Sequence, residues 1–177
     1  MPTLTQLFAE LDRHHDRVPL DELERYLETL AFDWAEFQPF VKFGHDTYRR
    51  NLMRAGPAYH ALVLCWRNGQ RSPIHDHFGS SCAVRVLKGT CTETIFERTA
   101  AGHLFPTETH ELKEGFCCGS QDKDIHQISN IAPDGSDLVT LHVYSPPLLC
   151  MGQYSLTSPS RIEFTDVVHS FAEGAGI

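Results

Sequence analysis

The sequence predicts a mainly β protein in which short N-terminal α-helices pack on the outside of a β-rich body. Apolar residues recur with helical spacing before about residue 40, and alternating apolar and polar residues follow from about residue 46. The length of 177 residues and the hydrophobic content of 41% allow one sizeable core. We therefore expect a single domain at 1–177, with helices at 1–40 and the β structure at 41–177.

Three helices are predicted in the N-terminal part. Thr3 and Gln6 have the spacing of a capping box, in which two side chains satisfy free N–H groups at a helix start. Two apolar helical faces follow, the first at Leu4, Leu7, Phe8 and Leu11, and the second at Leu20, Leu23, Leu27 and Leu30. Asp33 is placed to cap a third, short helix, which Pro39 is expected to end.

Short β-prone stretches follow, separated by clusters of Gly, Pro, Asn and Asp. They are 59–66, 82–88, 92–97, 124–130, 138–144 and 161–166. Many short strands fit a barrel and a sandwich equally well, so the pattern alone leaves that choice open. In 138–144 the odd positions are apolar, and the even positions include Thr140, His142 and Tyr144. Taken alone, this polar row fits the outer face of a strand.

The pattern His75-Asp76-His77 points to a metal site. The two histidines are two residues apart on an extended chain, so they face the same side and can chelate one ion while Asp76 turns away. They lie within G-x5-H-x-H-x4-C-x6-G, which runs from Gly69 to Gly89. A third histidine, His126, begins an H-x3-N pattern that ends at Asn130. Imidazole ligands suit iron, nickel, copper or zinc.

These flanks resemble the two motifs of the cupin superfamily, with Cys82 at the position of the usual Glu ligand. In the second motif Gly115 is in place, but Gln121 and Lys123 replace the usual Pro and Gly. The chain thus has the spacing of the cupin motifs but lacks their carboxylate ligand. This combination resembles the cysteine dioxygenase family, the thiol dioxygenase branch of the cupins. Further matching segments are Tyr48-Arg49-Arg50-Asn51-Leu52, Cys65-Trp66 and Leu141-His142-Val143-Tyr144-Ser145-Pro146-Pro147. The resemblance implies a cupin-type β-barrel with Fe(II) on His75, His77 and His126.

The resemblance also implies roles for residues outside the ligand set. Arg50 matches the family's carboxylate clamp, and Tyr48, two residues away, is expected to enter the barrel with it while Arg49 points outward. The remaining implied positions form two sets. Thr140, His142 and Tyr144 match a hydrogen-bonded relay that faces the barrel interior. Cys82 and Tyr144 match the pair that many relatives join by a thioether.

Two further points follow from the same comparison. Ser145-Pro146 matches a bond that is cis in relatives. The chain departs from the best-known relatives at Pro73, Asp124 and Thr140, which stands for serine. These departures weaken the assignment of a substrate more than the assignment of a metal.

The expected reaction is the iron-dependent addition of both atoms of O2 to the sulfur of L-cysteine, giving cysteine sulfinic acid. An aminothiol bound through thiolate and amine would supply the negative charge that three neutral imidazoles lack. No organic cofactor is required. Two alternatives remain open: another thiol substrate, 3-mercaptopropionate or mercaptosuccinate, and a noncatalytic cupin that binds a metal as a sensor.

Composition excludes several other classes of partner. The formal net charge of −8 and the lack of a basic run argue against nucleic acid. The N-terminus has no basic segment followed by an apolar one, and no apolar run approaches the ~20 residues of a membrane span. We expect a cytoplasmic monomer with six reduced cysteines, and with a small thiol and O2 as its partners.

Overall fold

The computed structural model describes residues 1–165 and 167–170. Three α-helices precede the strands, and the third continues into a 3₁₀ turn at Gln38–Phe40. The helices are α1 Leu4–Leu11, α2 Leu20–Thr29 and α3 Trp34–Phe37. The strands are β1 Arg49–Ala55, β2 His60–Trp66, β3 Ile74–Lys88, β4 Thr90–Arg98, β5 Leu104–Lys113, β6 Cys117–Ser129, β7 Leu138–Ser145, β8 Met151–Ser155, β9 Ser158–Phe164 and β10 Val168–His169.

The predicted helix starts are confirmed. The hydroxyl of Thr3 accepts from the backbone N–H of Gln6, whose side chain accepts from the backbone N–H of Thr3 at 2.9 Å. Asp33 caps α3 by accepting from Ala35 N at 2.9 Å. The third helix is shorter than expected, because α3 ends at Phe37 and Pro39 lies inside the 3₁₀ turn that follows.

Each predicted β-prone stretch falls on a strand, although the last residue of 161–166 lies outside the described residues. The predicted stretches do not include β1, β5, β8 or β10. In β5 only Leu104 and Leu112 are buried, so apolar and polar residues do not alternate along it. A strand without a buried face has no period that a sequence can display.

The strands form one sheet with the order β10-β1-β2-β7-β3-β6-β4-β5, while β8 pairs with β3 and β9. Among the described residues, hydrogen bonds do not close this sheet into a ring. The expected barrel is therefore an open one, with β10 and β5 at the two ends of the strand order. The long strand β3 changes neighbours along its length. Ile74 and His75 pair with β8, whereas Ser81 to Lys88 pair with β7, and register shifts lie between His75 and Ser81.

The two faces of β2 and β7 have different partners. Residues at odd positions join α1 and α2 in one hydrophobic cluster, and these residues are Ala61, Val63, Cys65, Val139, Leu141 and Val143. Residues at even positions belong to a second cluster on the other face, which contains Leu62, Leu64, Trp66, Leu138 and Tyr144. The helices therefore cover one face of the sheet, as expected, and leave the other face for the site.

The N-terminal segment is fastened to the middle of β6. A Cβ atom at Gly119 would lie 2.6 Å from the side chain of Leu20, so this glycine permits the close approach of α2. Arg17, just before α2, donates to Asp122 at 2.7 Å and to Ser81 at 2.8 Å. Asp122 has a φ of 53°, a left-handed conformation that costs energy for a residue with a side chain. Arg17 thus stabilises a strained residue within β6.

Within the part of the chain that the structure describes, no helix qualifies as a candidate membrane span.

Replacing Leu27 by Ala should lower the free energy of unfolding by about 2–5 kcal/mol, because this fully buried side chain fills the space between α2 and the sheet. Urea unfolding measures the effect. Leu156→Ala is the matched control, since Leu156 is 53% exposed and its loss should change stability by no more than about 0.5 kcal/mol. Equal effects of the two substitutions would contradict the packing of α2 described above.

Candidate metal centre

Three histidines meet on the inner face of the sheet. His75 and His77 come from β3, and His126 comes from β6, where it lies directly opposite His75 in the register. All three are buried, and their ligand atoms lie within 4.8 Å of one another. The ring centroids are 4.7 to 5.0 Å apart. The predicted ligand set is therefore brought together.

Each of these rings is held at Nδ1, and each by a different kind of group. The contacts are His75 to the carbonyl of Pro73 at 3.0 Å, His77 to the hydroxyl of Ser120 at 3.1 Å and His126 to the carboxylate of Glu93 at 2.7 Å. Such bonds fix the orientation of a ring and leave Nε2 for a metal. The Nε2 atom of His126 is buried and has no hydrogen-bond partner within the described residues. A metal ion would satisfy it.

Burial favours the neutral form of the two rings on β3. Burial and then the nearby His126 lower the pKa of His75 to about 3. The pKa of His77 lies well below its usual value for the same two reasons. Burial raises the pKa of Glu93, but the hydrogen bond from His126 and the charges of His126 and His110 together outweigh this effect, and the net shift is downward. Neutral imidazole is the form that binds a metal, so the group fits a divalent transition-metal ion.

Asp76 turns away from the three histidines, as the strand pattern predicts. Its carboxylate accepts from Tyr154 Oη at 2.5 Å, from Gly152 N at 2.8 Å and from Arg161 Nε at 2.9 Å. Burial raises the pKa of Asp76, but these bonds, led by that from Arg161, lower it overall. Asp76 therefore fastens the strand that carries two ligands to β8 and β9.

A small cavity adjoins the histidines. Its lining includes all three, together with Tyr48, Arg50, Leu64, Trp66, Ser72, Ile128, His142, Tyr144 and Met151. The guanidinium group of Arg50 is buried, lies 5.4 Å from the ring centre of Tyr144 and donates to the carbonyl of Leu148 at 3.5 Å. Tyr48 lies just before β1 rather than in it, and its ring stacks on that of Trp66 with the centroids 4.1 Å apart.

A hydrogen-bonded row runs along the inner face of β7. Trp66 Nε1 donates to Thr140 Oγ1 at 3.1 Å, Thr140 Oγ1 lies 2.9 Å from His142 Nε2, and His142 Nδ1 lies 3.1 Å from Tyr144 Oη. These residues are buried. Burial, and then the charge of Arg50, lower the pKa of His142 well below its usual value. The polar row of β7 thus faces the cavity, which corrects the outer-face interpretation that the pattern alone favoured.

Cys82 faces Tyr144. The two residues are direct partners in the register of β3 and β7, and their side chains share a hydrogen bond. The thiol also lies 3.9 Å from His142 Nδ1, and burial raises its pKa. All six cysteines are free, and Ser145-Pro146 is cis.

Two residues that contact the histidines were missed in the sequence, Glu93 and Ser120. Glu93 stands in a predicted strand, but the alternation there is weak, and nothing in the pattern separates it from the exposed Glu97. Ser120 precedes an irregular part of β6, where the register with β3 shifts and Asp124 accepts from Gln121 N at 2.8 Å. No periodicity predicts which side chains face inward beside such a register shift.

Comparison with known proteins agrees with this geometry. The family model described as cysteine dioxygenase type I matches residues 2–157. The chain belongs to this family. The cysteine dioxygenase type 1 of Homo sapiens is 30% identical over 171 residues, which cover 94% of this chain and 82% of the human protein. The cysteine dioxygenase type 1 of Danio rerio is 31% identical over 150 residues, which cover 82% of this chain and 72% of the fish protein.

Membership of the cysteine dioxygenase family supports an enzyme, a thiol dioxygenase, rather than the noncatalytic sensor among the alternatives. Solved structures support the fold alone. A protein from Thermus thermophilus superposes with a TM-score of 0.53 at 16% identity, covering 66% of this chain and 97% of the other. A protein with a double-stranded β-helix domain from Klebsiella pneumoniae superposes with a TM-score of 0.52 at 16% identity. The match covers 66% of this chain and 84% of the other.

Replacing Asp76 by Ala should lower the free energy of unfolding by about 1–3 kcal/mol, because the donors of Gly152, Tyr154 and Arg161 lose a buried acceptor. Urea unfolding of the metal-free protein measures this loss. Glu163→Ala, an exposed change on β9, should stay within about 0.5 kcal/mol of the unsubstituted protein. An Asp76→Ala protein of undiminished stability would show that the carboxylate does not fasten β3.

Proposed function

We propose that the protein is an iron-dependent dioxygenase that converts L-cysteine to cysteine sulfinic acid. One observation carries the proposal: the guanidinium group of Arg50 and the three histidines line the same small buried cavity. A carboxylate at Arg50 would leave the rest of a short substrate facing the histidines. The family relationship supports a thiol as the reacting group.

His75, His77 and His126 are the proposed ligands of Fe(II). Imidazole nitrogens suit iron, and the three rings offer neutral donors. When bound, ferrous iron would stabilise the thiolate form of the substrate and supply the redox chemistry that O2 requires. The buried Nε2 atom of His126, without a hydrogen-bond partner in the described structure, supports a bound cation at this point.

Arg50 is the proposed substrate clamp. A guanidinium group matches a carboxylate with two parallel hydrogen bonds, and burial strengthens such a pair. Tyr48 is proposed to support the substrate from the same side, with its ring fixed by Trp66. Leu64, Ile128 and Met151 give the cavity apolar walls that limit the access of water.

Thr140, His142 and Tyr144 are the proposed proton relay. Two proton arrangements satisfy the row. In one, the hydroxyl of Thr140 donates to His142 Nε2, and His142 Nδ1 donates to Tyr144; in the other, both donations run in reverse. The relay can therefore offer Tyr144 either as a donor or as an acceptor beside the substrate.

The reaction needs no further reductant. One thiol and one O2 combine to one sulfinic acid, so the sulfur supplies four electrons and both oxygen atoms remain in the product. This balance agrees with a site that requires only a metal and a substrate.

Cys82 and Tyr144 are the proposed crosslink pair. A thioether would form between Sγ and the ring carbon beside the hydroxyl, with loss of one hydrogen atom from each partner and transfer of two electrons and two protons to O2. Direct pairing across β3 and β7 supports this proposal, because such partners have adjacent Cβ atoms.

Arg50→Ala should lower kcat/KM for L-cysteine about 10- to 100-fold by removing charged hydrogen bonds to the carboxylate, while the iron content is retained. The assay is oxygen uptake with product mass after loading with Fe(II). L-cysteine, 3-mercaptopropionate and mercaptosuccinate are compared in parallel, and cysteamine serves as a thiol without a carboxylate. Cysteamine turnover should change little in Arg50→Ala.

Arg49→Ala is the matched control, because Arg49 is the next residue on β1 and points to the other face. It should behave like the unsubstituted protein. Preference for 3-mercaptopropionate or mercaptosuccinate would reassign the substrate within the same thiol chemistry. The absence of oxygen uptake by iron-loaded protein with every thiol would refute the proposed function.

The crosslink predicts a change in protein mass. After aerobic turnover with iron and L-cysteine, intact-mass measurement should show a fraction that has lost the mass of two hydrogen atoms, with the change mapped to peptides that contain Cys82 and Tyr144. Cys82→Ala should show no loss. An unchanged mass in the turned-over parent protein would count against the thioether.

A further inference from the structure

We propose that Glu93 is a positioning residue of the metal centre, which orients His126 and supplies a negative charge that three neutral imidazoles lack. The inference rests on the proposed three-histidine iron site and adds a fourth protein group behind it.

The register explains how Glu93 reaches His126. His126 lies opposite Ile95 in β4, and Glu93 lies opposite Ile128 in β6. Glu93 and His126 are therefore diagonal neighbours on one face of the sheet, at a separation that suits a long side chain. The contact between Oε1 and Nδ1 is 2.7 Å long, which is typical of a charge-assisted hydrogen bond.

The low exposure of the Glu93 carboxylate indicates that a positive charge lies near it. The side chain of Glu93 is only 12% exposed, and its ring partner is 5% exposed. A carboxylate removed from water is unfavourable unless a positive charge accompanies it. A divalent cation on Nε2 of the His126 ring would supply such a charge on the other side of the ring. The burial of Glu93 and its contact with Nδ1 agree with a cation bound there.

The other two ligands lack such a group. His75 is held by the carbonyl of Pro73 and His77 by the hydroxyl of Ser120, both of which are uncharged. Glu93 is therefore expected to set the charge of the centre as well as the angle of one ring. In the sequence motif Cys82 occupies the position of a carboxylate ligand, and Glu93 restores a carboxylate behind one of the rings rather than on the metal itself.

The test separates charge from orientation. Glu93→Gln keeps an oxygen acceptor and the size of the side chain but removes the charge, whereas Glu93→Ala removes both. Metal-free protein is titrated with Fe(II) without oxygen against a competing chelator, and the Fe(III)/Fe(II) midpoint potential is then measured. Glu93→Gln should bind Fe(II) at least about tenfold more weakly. Its potential should rise, because a lost negative charge destabilises Fe(III) more than Fe(II). Glu93→Ala should bind iron more weakly still.

Glu97→Gln is the matched control, since it removes the same charge from an exposed position on β4. It should leave both affinity and potential unchanged. The potential reports only on protein that holds iron, so partial unfolding of a variant does not imitate the effect. Glu93→Gln values indistinguishable from those of Glu97→Gln would overturn the role of Glu93. Retention of iron by His126→Ala would refute the centre itself, and the role of Glu93 with it.

Discussion

The alternation of side chains along β2, β3 and β7 is the constraint on which the rest of the molecule depends. On β2 and β7 the side chains at odd positions pack against the helices, and those at even positions face the cavity. The same two strands therefore contribute to the hydrophobic core and to the site. A shift of one residue in any pairing would exchange the two sets. The fully buried strand β7 fixes this register, because each of its faces has its own apolar or hydrogen-bonded partners.

The three histidines of the site are held by hydrogen bonds to three different kinds of group. Backbone, hydroxyl and carboxylate groups each hold one histidine, and Asp76 holds the strand between two of them. These supports come from strands that are distant in sequence, so the ligand geometry reports on the assembly of the whole sheet. Arg50 enters from β1, at the opposite side of β7 from the histidines of β3. The proposed clamp and the proposed ligands can therefore be substituted separately, which makes their roles open to experiment.

The sequence predicts the parts of this structure that a repeating pattern or a motif marks. The capping box at Thr3, the helical faces and the alternation of β7 all follow from local periodicity. The proposed metal ligands follow from His75-Asp76-His77 and from the resemblance that indicates His126. Contacts between strands have no such signature. The contacts of Glu93 and Ser120 depend on the register between strands and on the irregular part of β6 around the left-handed Asp122, and β5 has only two buried residues. The open edges of the sheet likewise depend on pairing that no single stretch encodes.

The pairing of β3 has a consequence for biosynthesis. This strand carries two of the proposed ligands, yet its hydrogen-bonded neighbours β6, β7 and β8 all follow it in the chain, and the arginine partner of Asp76 comes from β9. While the ribosome is still making the middle of the protein, β3 has no partner and its histidines have no shared cavity. A growing chain folds in units as they emerge. Here the unit that would hold a metal is completed only when β9 has left the exit tunnel, so an ion can meet the complete site only after that point.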